Sequence, residues 1–471
     1  MFIRAICEEA WPQLTWHAEW KRGGDEIVVR HGKSVEIRND RIFEGAWDGS
    51  FEVGDFHLSS ALCGSGIIIQ NDEVILIPPF HPQERIFTTS EPENSLRQAS
   101  NSLHCWLQMA GYTLDSKWPD YHIDLLKILR LGHVPFLPCF GLSQGNSVAI
   151  IELSPWAEGR KEGRRLPPRR GLPFGKNFER YRLGVKKTME ALIVNAASPK
   201  RKLPLATASG LSTGFDSVAI SVLAAELGVN RAFTMLGRED ARSIGADLGM
   251  HVISRNLKDC EGISEKVVQE FHLLPLGKNV PMALFEKEHG ATLLFTGHGG
   301  DEMWSMEQSF SGPNLSRPND QILAGVSYAE YRLRLGLVVV PAALLGQWYW
   351  QDIGTISHSD EMLPFLDDDR GYSRPIARRI GMEAGVARDA FGKNKKITGE
   401  IIRDGSLLCA EGSSFNKFIE AEVPDYKYSA FDIEEFPKYH GTLIRWGIHW
   451  ASKGHDQRYF SRTKGVISPS R

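Results

Sequence analysis

The chain lacks any run of about 18 apolar residues, the length that a membrane-crossing helix needs. Its longest apolar stretch, Leu335 to Leu345, is broken by Gly336 and Pro341, so no segment reads as a membrane span. A secretory signal is missing too: Met1 to Cys7 is too short for one, and Glu8-Glu9 follows at once. Cysteine is sparse, with Cys7, Cys63, Cys105, Cys139, Cys260 and Cys409 scattered through 471 residues. That spacing fits neither a disulfide framework nor a zinc site and predicts reduced thiols in the cytoplasm. An excess of one charge sign is also absent. The 55 Lys and Arg against 58 Asp and Glu leave a net −3 and no global attraction to nucleic acid. At 42% hydrophobic and 24% charged residues, the composition predicts a soluble enzyme of two or three domains.

Local charge does stand out between Arg160 and Lys176, where seven basic residues meet one acid and three prolines. The segment divides the chain into residues 1–154, a basic linker over 155–180, and residues 181–471. Punctuated by Pro and Gly, it reads as a solvated linker or hairpin; a lip attracting an acidic substrate or phosphate tail is the other reading. Before it, Glu26 to Val29, Gly66 to Gln70 and Val74 to Ile77 read as strands broken by turns, and Ser95 to Met109 as helical. After it, Leu203 to Ala208, Arg231 to Leu236, Met250 to Ser254 and Ala291 to Thr296 read as buried strands. Helical patterns such as Glu239 to Leu248 separate them, as a parallel sheet with crossover helices requires.

Two Gly-rich stretches follow apolar strands in that second half: Ser212-Thr213-Gly214-Phe215-Asp216-Ser217 and Gly297-His298-Gly299-Gly300-Asp301-Glu302. Each alone would suit an ordinary helix-capping turn. As a pair they read as a nucleotide site. A strand, tight turn and helix start turn backbone N–H groups outward toward a polyphosphate, and Asp216 and Asp301 add the hard oxygen ligands that Mg²⁺ prefers. Ser212, Thr213, Gly214, Asp216, Ser217, Gly297 and Gly299 are therefore the candidate contacts to a nucleotide's phosphates, which the resemblance described next implies to be those of ATP and pyrophosphate.

At these residues the chain resembles the asparagine synthetase family, whose relatives include β-lactam synthetases and lasso peptide cyclases. The likeness covers roughly residues 180 to 450, and the N-terminal part weakly. It implies a parallel sheet of the adenine-nucleotide α-hydrolase type (PP-loop, HUP-like), preceded by an α+β glutaminase-like domain of the Ntn type. It also implies a reaction: ATP is cleaved to AMP and pyrophosphate with Mg²⁺, a carboxylate is adenylated, and an amine or ammonia displaces AMP. Thr213 stands where the family has a glycine, narrowing the room for pyrophosphate while adding a hydroxyl. The order of Phe51–Phe56, a strand pair and Ala99–Leu103 resembles the glutaminase domain, yet Phe2 occupies the place of the nucleophilic cysteine. A phenyl ring cannot attack an amide, and Cys7 lacks the adjacent free amino group, so the domain is expected to be a degenerate, non-hydrolysing copy.

The resemblance carries further roles. Met235, at the end of a strand, would hold adenine through its backbone; a core methionine is the alternative. His298 falls where relatives carry the Glu or Tyr at the reacting centre and would accept a proton from the incoming amine, unless it is only a hydrogen-bonding spacer. Glu330 falls where β-lactam synthetases keep a Glu that pairs with the catalytic Tyr, which suggests a His298–Glu330 dyad; an i,i+4 ion pair with Arg334 is the bland alternative. Lys395 or Lys396, after the helical run Ser373–Arg379, resembles the lysine that neutralises charge on the acyl-adenylate and pyrophosphate, or else belongs to a solvated basic loop. Trp446 and Trp450 are expected to pack. The expected function is an AMP-forming amide ligase acting on a small-molecule or peptide carboxylate and an amine, with ATP and Mg²⁺. Asparagine synthetase using ammonia, a tRNA-modifying PP-loop enzyme and a non-catalytic nucleotide binder are the alternatives. Neither an RNA-binding module nor a catalytic Cys pair is evident, and a homo-oligomer is left open.

Overall fold

Three sheets organise the computed structural model, which describes residues 1–89, 96–115, 118, 121, 124, 137–159, 163–236, 240–273, 279–306, 326–366, 373–391, 413–422 and 436–453. The N-terminal region is rich in strands: β1 (Phe2–Cys7), β2 (Trp16–Lys21), β3 (Glu26–His31), β4 (Glu36–Arg38), β5 (Arg41–Phe43), β6 (Gly66–Gln70), β7 (Glu73–Ile77), β8 (Ile86–Thr89), β9 (Leu96–Ser100), β10 (Leu137–Gly141), β11 (Ser147–Ile151), β12 (Trp156–Glu158) and β13 (Arg164–Arg165). One sheet runs β1-β3-β2-β9-β8-β11-β10 and the other β13-β12-β7-β6-β5-β4. All pairings are antiparallel except β1 with β3. Alternate residues Trp16, Ala18 and Trp20 of the first sheet meet Ile42, Ile67, Val74 and Leu76 of the second in one apolar layer, as the period-2 geometry of strands dictates. Helix α1 (Leu103–Ala110) covers the outer face of the first sheet with Leu103, Trp106 and Leu107 against Phe87, Val148 and Ile150.

The C-terminal region alternates helices and strands: α2 (Phe178–Ala196), β14 (Ala206–Gly210), α3 (Phe215–Glu226), β15 (Arg231–Leu236), α4 (Arg242–Asp247), β16 (His251–Asn256), α5 (Glu265–His272), α6 (Glu286–His289), β17 (Thr292–Thr296), α7 (Gly300–Met303), α8 (Ala329–Leu335), β18 (Val338–Pro341), α9 (Trp350–Ser357), α10 (Pro375–Glu383), α11 (Ser414–Glu422) and α12 (Phe436–Ser452). Its sheet is all parallel in the order β16-β15-β14-β17-β18. β17 and β18 are buried along their whole length, as strands covered on both faces must be. Leu293, Phe295, Val338 and Val340 point into one core with α2, α3 and α10. Leu294 and Val339 point into another with Phe271, Tyr331, Phe415 and Trp446. From β14 the chain steps out to β15 and β16, then returns to the far side of β14 with β17. The connections leaving β14 and β17 therefore diverge, and a crevice forms at the carboxyl ends of those two strands. No helix among the described residues is long and apolar enough to cross a membrane.

Three local expectations change. Residues 96–100 are strand rather than helix, because β9 pairs with both β2 and β8; the helix waits for Ser102, whose Oγ accepts from Cys105 N. The first strand of the parallel sheet begins at Ala206 rather than Leu203. The basic segment is only partly a linker. Trp156 to Glu158 pair with β7 and Arg164-Arg165 pair back on them, so the first region runs past residue 154. Its described arginines are engaged: Arg164 with Glu73, Arg165 with Ser154 Oγ at 3.0 Å, Arg169 with the carbonyls of Phe56 and Pro78, and Arg170 over the Trp348 ring at 5.4 Å. Of these only Arg164 is paired with a carboxylate, and Arg165 and Arg170 are exposed.

Candidate functional site

The two Gly-rich loops meet. Ala206 to Ser209 of β14 lie in parallel register with Thr292 to Phe295 of β17, so both loops leave the same edge side by side. A Cβ on Gly297 would stand 2.6 Å from both the carbonyl carbon of Asp216 and the nitrogen of Ser217, and a Cβ on Gly300 2.3 Å from Asp216 Cγ. Only glycine lets the second loop approach the first this closely. Gly299, at φ +86, completes the turn and packs so that a Cβ would meet Leu344 Cδ2 at 2.1 Å.

The first loop is shaped by its own hydroxyls. Ser212 Oγ and Ser217 Oγ lie 2.6 Å apart, Ser217 Oγ accepts from Ser212 N at 3.1 Å, and Ser212 Oγ accepts from Gly214 N at 3.2 Å. Gly214 is the N-cap of α3 and makes no side-chain cap hydrogen bond, and the helix start carries the positive end of the helix dipole. Thr213 is buried, and its Oγ1 has no hydrogen-bond partner. A polyphosphate with Mg²⁺ fits these features: the amides and the Thr213 hydroxyl would serve phosphate oxygens, and Asp216 and Asp301 would serve the metal. Among the described residues no three His, Cys, Asp or Glu side chains gather into a metal cage.

Asp301, at the start of α7, accepts from Arg374 Nη2 at 3.0 Å, and Arg374 Nη1 also donates to Ser305 Oγ at 3.1 Å. Four residues along α10, Arg378 sits over the Phe215 ring at 5.5 Å. The sequence reading took this run as helical and passed over both arginines. The available signal was a pair of cations at i,i+4 on a helix whose other residues, Ile376, Ala377 and Ile380, are apolar and buried. Lys395 and Lys396 lie outside the described residues; Phe391, the last described residue before them, has its ring 5.0 Å from Phe215.

Met235 is half-buried, and its side chain packs with Ile253 against the core that holds Phe233 and Leu294; its side chain is thus a core methionine. His298 has its ring 5.8 Å from that of Tyr328, and its Nδ1 is enclosed without a partner. Burial drops its pKa to about 4, so the ring is neutral near pH 7. The His298–Glu330 dyad is replaced by a different pairing. Glu330 Oε2 accepts from Ser102 Oγ at 2.7 Å and Oε1 from His104 N at 3.2 Å, capping α1 of the first region. The ion pair with Arg334 is absent too, because Arg334 binds Glu270 at 2.7 Å and Glu286 at 2.6 Å.

In the first region Phe2 is 53% exposed on β1. The Cys7 thiol donates to Glu9 Oε1 at 3.6 Å, and burial followed by the Glu9 charge raises its pKa. Both effects disfavour the thiolate that a nucleophile needs. Trp446 and Trp450 do pack, but apart: Trp446 against Phe415 at 5.4 Å and Trp450 against His104 at 4.8 Å.

Compared with protein-family models and with curated proteins, the chain matches none.

Proposed function

We propose that the protein is an ATP-dependent, AMP-forming ligase that adenylates a carboxylate and passes the acyl group to an amine. The observation that carries this reading is the contact of the two Asp-bearing loops at the divergent ends of β14 and β17, with Gly297 and Gly300 closing onto Asp216. A crevice at that place in a parallel sheet is where nucleotides bind, and the positive end of the α3 dipole, at Gly214, favours an anion.

In this reading the loop amides and Thr213 hold the β and γ phosphates. Mg²⁺, when bound with ATP, neutralises charge that grows on the leaving pyrophosphate. Asp216 and Asp301 would hold the metal, and Arg374, bound to Asp301, would orient it. The carboxylate oxygen attacks the α phosphorus, the bond to the β-phosphate oxygen breaks, and pyrophosphate leaves. The amine nitrogen then attacks the acyl carbon and AMP departs with the electron pair of the broken C–O bond. The enclosed, neutral His298 is suited to take the proton that the nitrogen sheds. The raised thiol of Cys7 and the phenyl ring of Phe2 support a nitrogen source other than glutamine. The test is to incubate the chain with Mg·ATP, a carboxylate panel and an amine panel, and to identify the nucleotide product. AMP with pyrophosphate is expected; ADP with phosphate would refute the assignment.

A further inference from the structure

The first region reaches into the second beside this site. Phe80, which directly precedes His81, belongs to the core of the second region together with Leu344 and Leu345, and its carbonyl accepts from Gln347 Nε2 at 2.5 Å. Leu344 is also the residue against which Gly299 packs, immediately beside His298. His81 and Gln347 are both 0% exposed. Three side chains on these adjoining segments, His81 and Gln347 fully buried and His298 partly so, have buried polar atoms without a partner: His81 at both ring nitrogens, Gln347 at Oε1, and His298 at Nδ1.

Groups of that kind are costly to bury unless something satisfies them. We propose that His81, Gln347 and His298 form the receiving pocket for the amine substrate, recognising a free-base –NH₂ group, so that the degenerate first domain supplies part of the acceptor site. This rests on the ligase reading for its purpose, though not for its detection. The chemistry is complementary. Burial, with the charges of Arg332, Arg85 and His298 added for His81, lowers the pKa to about 3 at His81 and about 4 at His298. Each ring is therefore neutral and offers one acceptor nitrogen, and Gln347 Oε1 is a third acceptor. A primary amine brings two N–H donors and keeps its lone pair free for the acyl carbon. Among the described residues, the carboxylates on the His81 side are already paired, Glu44 and Glu84 with Arg332 and Glu152 with Arg85. The pocket thus selects the nucleophilic form.

The test uses the full chain labelled at its histidine ring nitrogens and two probes near pH 7.5: hydroxylamine, which is free base there, and methylamine, which is ammonium. Hydroxylamine is expected to shift the ring resonances of His81 and His298 saturably, and methylammonium to leave them in place. His81→Phe, which keeps a ring against Phe80, should weaken hydroxylamine binding at least tenfold, and His81→Gln, which keeps a donor and an acceptor, should retain it. Gln347→Leu, which removes the acceptor from the other segment, should weaken it likewise even where His81→Phe fails to fold. Absence of shifts, equal shifts from both probes, or unchanged binding in Gln347→Leu would overturn the pocket and leave these groups to ordered water. Mg·ATP binding by the unaltered chain is measured separately, so failure of the ligase reading is seen apart from failure of the pocket.

Discussion

Replacing Gly300 with alanine tests the loop contact directly. The new methyl would lie 2.3 Å from Asp216 Cγ, over 1 Å inside the roughly 3.5–4.0 Å at which carbons rest against each other. Asp216 Cγ can swing away, but Asp216 Cβ, 2.6 Å from the new methyl, moves only with the backbone, and the fold should lose about 1–3 kcal/mol. The carboxylate, however, leaves its place by about 1 Å, a displacement that costs on the order of 10²-fold in a positioned reaction. Gly297→Ala differs in kind: its methyl meets backbone at 2.6 Å, no rotamer relieves it, and stability should fall along with activity. Gly210→Ala is the control, since nothing stands nearer than 3.8 Å. The assays are calorimetric Mg·ATP binding, AMP formation and a thermal melt on each variant. Gly210→Ala should match the parent, Gly300→Ala should melt somewhat lower with turnover down about 10²-fold, and Gly297→Ala should lose more stability together with its activity. A Gly300→Ala protein with the parent's affinity and turnover would refute the placement of Asp216 at the junction of the loops.

Asp216→Asn and Asp301→Asn should each abolish pyrophosphate release while the circular-dichroism melt stays close to the parent's; turnover surviving in both removes the metal from these residues. Glutamine should yield no glutamate above background with or without ATP, and glutamate release that Cys7→Ala abolishes would overturn the non-hydrolysing reading of the first region. For Glu330, burial raises the pKa from 4.5 to about 7 in spite of its three hydrogen bonds. Its contribution to stability is therefore full below pH 4.5 and lost as pH climbs through 7, by up to about 3 kcal/mol. Chemical denaturation at pH 5 and pH 8 should show Glu330→Gln losing less stability across that interval than the parent; a larger loss contradicts the sign.

How much of this was legible in the sequence depends on how local the deciding physics is. β15 and β17 are short apolar runs with both faces covered, so composition alone located them. β14 was misjudged at its start because its residues, Ala206-Thr207-Ala208-Ser209-Gly210, are small rather than strongly apolar; Ser209 Oγ sits 2.8 Å from Ser221 Oγ on α3, a closeness that larger side chains would prevent. The loops were legible only as a pair, because glycine with aspartate at one strand end also makes an ordinary capping turn. Their partners were not: Arg374, Gln347 and His81 act through contacts distant in sequence, and nothing in their immediate neighbours marks them. The basic segment was misread for the same reason, since its pairing with β7 is a long-range event that charge and proline content argue against.

The case of α8 carries the argument one step further, because a family role led to the wrong partner there. Glu330 caps α1, and Arg332 binds Glu44 through Nη1 at 2.9 Å as well as Glu84 at 2.5 Å, all of them nearly or fully buried. Leu14 N and Gln13 Nε2 donate to the carbonyls of Leu333 and Arg334 on the same helix, while the Arg334 guanidinium turns back to Glu270 and Glu286. One short helix thus ties the first region to the element next to His298 through charges that have no water to fall back on. Removing one member of such a buried set costs about 3–5 kcal/mol, because its partner is left charged and alone. The first region is therefore not free to drift away or be deleted. The second region is built around its carboxylates, and a domain held so close to the reacting centre is available for a new use there, as His81 illustrates.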